Sequence, residues 1–272
     1  MKQLIVLTLA LAPVFLFAQS TNALTSRQQK AAERRERINN LIKQEEEGAL
    51  IYQKQGAFGV KLNTDGYGIF YEHGKYKTIT KTNLWWIELG EHKDKHEEKT
   101  SVPLVGGGFV FLGNPYIYGK QNNFYYFKLG LGQQRLIGGK GNKNGVAVSA
   151  IYGGGFSLGM LKPYYLQVQD PNNANQVNDI KYSDNPTAFL DYTLIQGSSG
   201  FSKGLNEIKY VPGVQARAAL RFDYGRYNEL LSALELGVNL EYYTQNMPIM
   251  VNSPDRKLFF NAYAAIVFGR RK

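Results

Sequence analysis

Residues 233–245 read ALELGVNLEYYTQ, and residues 257–268 read KLFFNAYAAIVF. In both stretches one set of alternate side chains is apolar and the other is mixed or polar, which is the pattern of a β-strand with two different faces. In a soluble sheet the apolar face would pack on a core. In a transmembrane barrel it would contact lipid, and the polar face would line the interior. The number of further strands and the lengths of the loops distinguish these two arrangements.

Six further segments have strand character, so the chain has eight predicted strands. The six are residues 56–63, 67–73, 78–90, 122–134, 145–160 and 211–224. An even number of antiparallel strands, each about 9–12 residues long, is typical of outer-membrane β-barrels. The sequence therefore predicts an all-β fold, an eight-stranded antiparallel transmembrane β-barrel over residues 56–272. A soluble β-sandwich is the alternative, because its strands alternate too.

The loop lengths indicate how such a barrel would be oriented. With a periplasmic N-terminus, the periplasmic turns are short and lie near residues 74–77, 136–145 and 225–232. The outward loops then lie near residues 64–66, 91–121, 161–209 and 246–256. Both very long loops face outward, as outer-membrane barrels prefer. We therefore expect a location in the outer membrane of a Gram-negative bacterium, with the N-terminus in the periplasm.

Two segments precede the predicted barrel. Residues 1–18 have the pattern of a secretory signal peptide, with Lys2 followed by an apolar run from Leu4 to Phe17. That run is too short for a membrane-spanning helix, which needs about 20 residues. Residues 19–55 form a predicted periplasmic extension with one short helix from Thr25 to Gly48. Its apolar stripe is thin, so the helix is either a solvated extension or a docking element for another envelope protein.

Composition limits the function classes. The chain has 272 residues, 29 glycines and no cysteine, which excludes a disulfide framework and thiolate chemistry. Its mean hydropathy of −0.34 does not argue against a barrel, because only alternate strand residues face lipid. The net charge of +10 comes without a nucleic-acid motif. It favours anionic envelope lipid or polysaccharide as a partner, and a solvated basic surface is the alternative.

Alternation also assigns charged residues to the barrel interior. Eight positions form this predicted lumen charge network: Lys61, Glu88, Lys128, Arg217, Arg221, Asp223, Glu235 and Glu241. Four are basic and four are acidic, and an eight-stranded barrel is just wide enough to be filled by side chains. Because buried charges must be paired, the set predicts salt bridges that plug the barrel. An ion or proton pathway is the alternative.

No convincing catalytic or metal site is apparent. His92 and His96 are four residues apart, but they lie in a charged segment at the start of an outward loop, which favours a solvated charge run over a metal site. Ser198, Ser199 and Ser202 have no histidine near them in sequence, and His73 falls at the opposite rim. We therefore predict no enzyme activity, no metal and no cofactor. A lipid A or phospholipid hydrolase stays open as an alternative, and it requires a serine and a histidine within hydrogen-bond reach at the outer rim.

Several short motifs resemble a family of small, largely uncharacterised outer-membrane β-barrels of the Bacteroidota. They are GVKLNTDGYG at 59–68, WIEL at 86–89, LGLGQ at 129–133, LGMLKPYYL at 158–166 and GLNEIK at 204–209. The resemblance covers nearly all of the chain after residue 50 and implies an exported barrel, but it brings no catalytic residues. Two features depart from the family: Phe268 is followed by Gly-Arg-Arg-Lys instead of ending the chain, and no proline follows His92.

Together these patterns predict a non-enzymatic envelope component. We expect it to contact outer-membrane lipid or lipopolysaccharide, and to bind other envelope proteins through the N-terminal helix, the barrel wall or the extracellular loops. A subunit of a secretion, assembly or uptake complex fits this description. The hydrolase and a narrow pore are the alternatives, and no nucleic-acid partner is expected.

Overall fold

The computed structural model describes residues 30–31, 33–36, 53–78, 80–106, 109–141, 145–171, 173–225 and 229–272. The chain divides into two units, residues 1–43 and 44–272. In the first unit, residues 30, 31 and 33–36 are helical, while the predicted signal peptide and the rest of the predicted helix lie outside the described residues. Among the described residues, no helix is both long and apolar enough to cross a lipid bilayer.

The described residues of the second unit form fifteen β-strands and two short helical segments. In chain order the elements are β1 (Lys54–Asn63), β2 (Gly66–Thr78), β3 (Lys81–His92), β4 (Lys99–Thr100), β5 (Pro103–Gly106), β6 (Phe109–Leu112), β7 (Tyr116–Ile117), β8 (Asn122–Gly138), β9 (Ala147–Pro163), β10 (Tyr165–Asp170), β11 (Asn173–Lys181), α1 (Pro186–Leu190), β12 (Ile195–Ser198), a 3₁₀ turn (Leu205–Glu207), β13 (Lys209–Asp223), β14 (Leu230–Met247) and β15 (Arg256–Arg271).

Eight of these strands form a closed antiparallel barrel in the order β1-β15-β14-β13-β9-β8-β3-β2. The first and last strands close the ring by pairing from Gln55 with Arg271 to Asn63 with Tyr263. Each barrel strand corresponds to one of the eight segments in which side-chain alternation predicts a strand. The predicted all-β barrel fold is therefore confirmed.

The barrel wall has apolar side chains outside and charged ones inside. The exposed outer residues include Val60, Ile69, Leu89, Leu129, Leu131, Phe156, Val214, Leu236, Phe260 and Ile266. The inward positions of the same strands hold buried lysine, arginine and glutamate side chains. This is the reverse of a soluble β-barrel and matches a wall that contacts hydrocarbon.

The first turn lies later in the chain than the sequence predicts. Strand β2 continues through Gly74 to Thr78, and β3 begins only at Lys81. At Gly74 a Cβ atom would come within 2.9 Å of both the Leu84 and the Thr82 side chain. Gly74 therefore serves interior packing within a strand and does not mark a turn. The turn predicted near residues 74–77 was wrong, because β2 continues through these residues.

The two ends of the barrel differ. One end carries the short connections from β2 to β3, from β8 to β9 and from β13 to β14. The start of β1 and the end of β15 also lie there, and we call it the turn end. The other, the loop end, carries residues 93–121 and 164–208 as its long connections. The relative loop lengths therefore agree with the sequence-based assignment of short turns to one end and long loops to the other.

The long loops have a fold of their own, which the polar composition did not predict. Strands β11, β10 and β12 form an antiparallel sheet, and α1 packs beside it. Their buried side chains make a small core of Tyr116, Leu166, Val168, Phe189 and Ile195. The Asn185 side chain caps α1 by accepting a hydrogen bond from the Ala188 amide at 3.1 Å. We refer to residues 93–121 and 164–208 as the loop subdomain.

Candidate functional site

All eight residues of the predicted lumen charge network lie inside the barrel and are at most 2% exposed. They do not form one continuous chain of ion pairs. The structure divides them between a cluster near the loop end and a cluster near the turn end, with a layer of arginine and aromatic rings between. Each part is built by inward positions of several different strands.

The loop-end cluster joins two lysines to two glutamates. Lys61 Nζ lies 2.6 Å from Glu88 Oε2, and Lys128 Nζ bridges Glu88 Oε1 at 3.4 Å and Glu241 Oε1 at 2.6 Å. Tyr126 donates a hydrogen bond to Glu88 at 3.1 Å, and Tyr243 donates one to Glu241 at 2.7 Å. Each carboxylate therefore has at least one ammonium and one hydroxyl partner, which compensates its desolvation.

His92 belongs to this cluster, although the sequence analysis assigned it to a solvated charge run. Its ring is fully buried, with Nδ1 2.9 Å from Asp65 Oδ2 and Nε2 3.2 Å from Glu241 Oε2. The ring also packs against Phe124 and Tyr126. That interpretation of His92 was wrong because β3 extends to this residue. Glu88 and His92 are four positions apart on one strand, so they share its inward face.

The turn-end cluster is centred on Arg221. Its guanidinium contacts two glutamates, with Nη2 2.7 Å from Glu72 Oε2 and Nε 2.9 Å from Glu235 Oε2. The Tyr263 hydroxyl donates to the other oxygen of Glu235 at 2.5 Å. Asp223, the remaining predicted residue of this end, lies 2.6 Å from Nη2 of Arg271. Planar guanidinium groups suit such paired carboxylates better than ammonium groups do.

Glu72 and Arg271 were missing from the predicted network. Strand alternation in the sequence already indicated an inward position for Glu72, because it lies on the opposite face from Ile69 and Tyr71. The structure confirms this, since both of those side chains are exposed on the outer wall. Arg271 follows the apolar part of the last strand, where the predicted strand ended at Phe268. The structure continues β15 to Arg271, whose Nε donates to Gln55 at 3.1 Å. Both omissions arose from predicted strands that were too short or incompletely assigned.

Between the two clusters, a cation–aromatic layer crosses the barrel. The Arg217 guanidinium carbon lies 4.4 Å from the Trp86 ring centroid and 5.5 Å from that of Phe70. Arg217 Nη2 is also 3.5 Å from Glu72 Oε2. The three side chains of this layer are almost fully buried. Such stacking favours arginine over lysine, because a planar guanidinium can lie against an aromatic face.

Glycines on β8 and β9 make room for the Trp86 ring. A Cβ atom at Gly130 would overlap the indole, one at Gly132 would lie 3.0 Å from it, and one at Gly153 would lie 2.8 Å from it. The glycine motifs of these strands therefore serve interior packing. Glycine is common where a strand must leave room for a neighbouring side chain.

The two closely spaced histidines do not form a metal site. His92 is buried in the loop-end cluster, whereas the His96 side chain is 56% exposed. Within the part of the chain that the structure describes, no group of three or more His, Cys, Asp or Glu side chains could hold a metal ion. The described histidines therefore give no support to metal chemistry.

His96 does contact a serine, but not one of the three considered from the sequence. His96 Nδ1 lies 3.1 Å from Ser253 Oγ and 2.8 Å from Asp94 Oδ1. Burial would raise the pKa of Asp94, but hydrogen bonds from His96 and Ser253 keep it below its ordinary value. Ser198, in contrast, donates its hydroxyl to the Pro115 carbonyl at 2.8 Å. Serine and carboxylate both meet the same imidazole nitrogen, whereas a catalytic triad places them on opposite nitrogens.

Asp94 and Ser253 line a cleft of about 300 Å³ at the loop end. Its lining combines apolar and charged side chains. The apolar lining is Met247, Ile249, Pro254 and Phe259, and the charged lining is Asp65, Lys93, Asp94, Lys95 and Arg256. The cleft is large enough for a small polar headgroup, and its basic side chains suit an anionic group.

A closed antiparallel barrel with an apolar exterior and paired charges inside defines the class of transmembrane β-barrels. No protein-family model matches the chain, and no curated protein does. Solved structures similar to it include three outer-membrane proteins. Ail of Yersinia pestis is 8% identical over 82% of this chain and 100% of its own (TM-score 0.33), Neisserial surface protein A is 7% identical over 80% and 96% (0.36), and a major outer membrane protein of Thermus thermophilus is 11% identical over 79% and 98% (0.37). At these values the similarity assigns no function.

Proposed function

We propose that the protein is a non-enzymatic outer-membrane β-barrel that acts through its outer surfaces, as an accessory or structural subunit of a larger envelope complex for secretion, assembly or uptake. The observation that carries the proposal is the filled interior, where ion pairs and the Arg217–Trp86 layer occupy the space that transport would need. A barrel of this size without a lumen retains its wall, loops and termini for function. Its N-terminal segment would then lie in the periplasm.

The loop subdomain is the surface best suited to a protein partner. Its own core, centred on the fully buried Phe189, connects residues of both loops, which reduces the ordering entropy that binding would cost. Apolar and aromatic side chains such as Val177 and Tyr192 remain exposed on it. Exposed aromatic residues on a rigid support are typical of binding surfaces.

The test is a native pull-down of the tagged protein from gently solubilised outer membranes. We expect a larger envelope protein to co-purify in stoichiometric amount. Phe189→Ala should reduce its recovery by about tenfold, equivalent to ~1.4 kcal/mol of binding free energy, because the loop core loses its central ring. Gln176→Ala, an exposed change on the neighbouring strand, is the matched control.

Two further measurements make this result interpretable. The heat-modifiable mobility of each variant on a gel checks that the barrel is still folded, so a loss of partner can be assigned to the loop subdomain. A variant lacking residues 25–48 tests the N-terminal segment as a second contact. Wild-type protein that purifies without any stoichiometric partner contradicts the subunit proposal.

A lipid hydrolase is the second candidate, and the contact between His96 and Ser253 in the loop-end cleft favours it. If this pair acted as base and nucleophile, a fluorophosphonate probe would label the wild-type protein and Ser253→Ala would lose the label. We expect no labelling of either protein, because Asp94 occupies the same ring nitrogen as the serine. Labelling that depends on Ser253 would reverse the order of the two candidates. Ser202→Ala is the matched control.

A narrow pore is less well supported. An ion would have to pass both charge clusters and the layer of Arg217, Trp86 and Phe70, all of whose side chains are nearly or fully buried. Opening such a path would require several ion pairs to separate in a low-dielectric interior, which is costly.

A further inference from the structure

The loop subdomain contains a short apolar hairpin. Strands β5 and β6 pair with each other, from Pro103 with Leu112 to Gly106 with Phe109, and within the described structure they join no other sheet. The ten residues 103–112 read PLVGGGFVFL and include no polar side chain. An isolated two-stranded hairpin is at best marginally stable in water, and an apolar one exposes hydrophobic surface at a cost.

The described side chains of this hairpin place apolar groups on both of its faces. Phe109 and Val110 are consecutive on one strand, so they point to opposite faces, and they are 70% and 69% exposed. Leu112 is 78% exposed. The three-stranded sheet of the loop subdomain differs, since its Leu166 and Val168 side chains are buried in the small core. A groove on a partner protein would cover one face of the hairpin, whereas hydrocarbon would cover both.

The base of the hairpin is fixed to the folded part of the loop subdomain. The Gly113 amide donates to the Val102 carbonyl at 2.8 Å, and Val102 packs against the small core. Next to the base, the Asn114 side chain donates to the Ser198 carbonyl at 3.3 Å. The hairpin is therefore anchored at its base, and only ten residues separate it from His92 at the end of barrel strand β3.

We propose that this hairpin inserts into the lipid of the outer leaflet of the membrane that holds the barrel. Its four paired residues per strand extend about 13 Å at ~3.3 Å each, close to one leaflet of a hydrocarbon core about 30 Å thick. The short connection to β3 makes insertion intramolecular, which favours the barrel's own membrane over a separate one. The inserted hairpin would hold the loop subdomain against the membrane surface. This goes beyond the proposed function, because it requires no partner protein.

The absence of cysteine allows a direct test with one environment-sensitive fluorophore per molecule. Val110→Cys reports on the hairpin, in full-length protein reconstituted into lipid nanodiscs. Leu131→Cys, on the outer wall, is the control for lipid contact, and Tyr192→Cys, on the loop subdomain, is the control for water. The parent side chains are similarly exposed at 69%, 71% and 73%. The label should therefore disturb the fold equally little at each position.

The expected result is a loss of Val110 fluorescence in nanodiscs of brominated phospholipid, comparable with the loss at Leu131 and absent at Tyr192. Emission of the Val110 label should also shift to shorter wavelength than that of the Tyr192 label. If the label at position 110 is not quenched, like the label at position 192, the proposal is overturned. A protein partner would then be the remaining way to cover the hairpin. Quenching only by added brominated vesicles overturns it in favour of a second membrane. Because no partner protein is present, none of these outcomes depends on the proposed subunit function.

Discussion

Arg221→Ala is expected to lower the free energy of unfolding by about 3–5 kcal/mol, the range for removing one partner of a buried ion pair. Arg221 donates hydrogen bonds to both Glu72 and Glu235, and all three side chains are at most 1% exposed. Without it, the two carboxylates remain inside the barrel beside the more distant Arg217, which lies 3.5 Å from Glu72 and 4.0 Å from Glu235. Urea unfolding in detergent micelles or vesicles, followed by tryptophan fluorescence and by gel mobility, measures the loss.

Arg135→Ala is the matched control for this experiment. Arg135 lies on the outer side of β8 and is exposed, so its removal should change the free energy of unfolding by no more than about 0.5 kcal/mol. Adding Glu72→Gln and Glu235→Gln to Arg221→Ala should recover part of the loss, because the neutral amides carry no unpaired charge. Equal effects of Arg221→Ala and Arg135→Ala would show that the turn-end cluster contributes nothing to stability.

The part of this structure that the sequence predicts well is the part governed by strand alternation. The pattern of residues 233–245 fixes which side of β14 carries Glu235 and Glu241, and both side chains lie in the interior. The same rule assigns Glu72 to the interior, because the predicted strand 67–73 already includes it, so its omission from the network was a missed application of the pattern. His92 and Arg271 were missed because two predicted strands ended too early, and a single strand carries no signal for where its neighbours stop pairing.

The identity of each ion-pair partner was not predictable in the same way. Glu72 and Arg221 are 149 positions apart, and so are His92 and Glu241. Their contact depends on the register and closure of the whole ring, which one sequence does not specify. The loop subdomain has a related difficulty, since its small core combines residues from two separate polar loops. The apolar positions of each loop follow no clear helix or strand period.

Glycine residues of the barrel wall make the filled interior possible. Trp86 can cross the barrel only because β8 and β9 present backbone instead of side chains beside the indole. Gly130 is the sharpest case, because an added Cβ would meet side-chain atoms of Trp86 and Gln215 and no backbone atom among its nearest neighbours. The indole is fully buried and packed against Arg217, so it has little freedom to move away.

Gly130→Ala is therefore expected to destabilise the barrel by about 3 kcal/mol, at the upper end of the usual range for overpacking. Gly138→Ala on the same strand is the matched control, since a Cβ there meets nothing within 4 Å. Urea unfolding in vesicles measures both, with gel mobility as a check that each variant has formed a barrel. If Gly130→Ala does not assemble at all, the comparison moves to the background in which Trp86 is shortened.

In the Trp86→Leu background, Gly130→Ala should cost much less than it does in the wild type, because the methyl group fills space that the indole has left. Trp86→Leu alone should be destabilising, since it removes a large buried ring and leaves a cavity. The non-additivity of the two changes is the specific result, and a double-mutant cycle measures it. Additive effects would mean that Gly130 is required by the backbone and not by the ring. A double-mutant destabilisation smaller than the sum of the two single effects would instead show that Gly130 is required because of the Trp86 ring. The glycines of β8 would then be explained by the aromatic layer that fills the barrel.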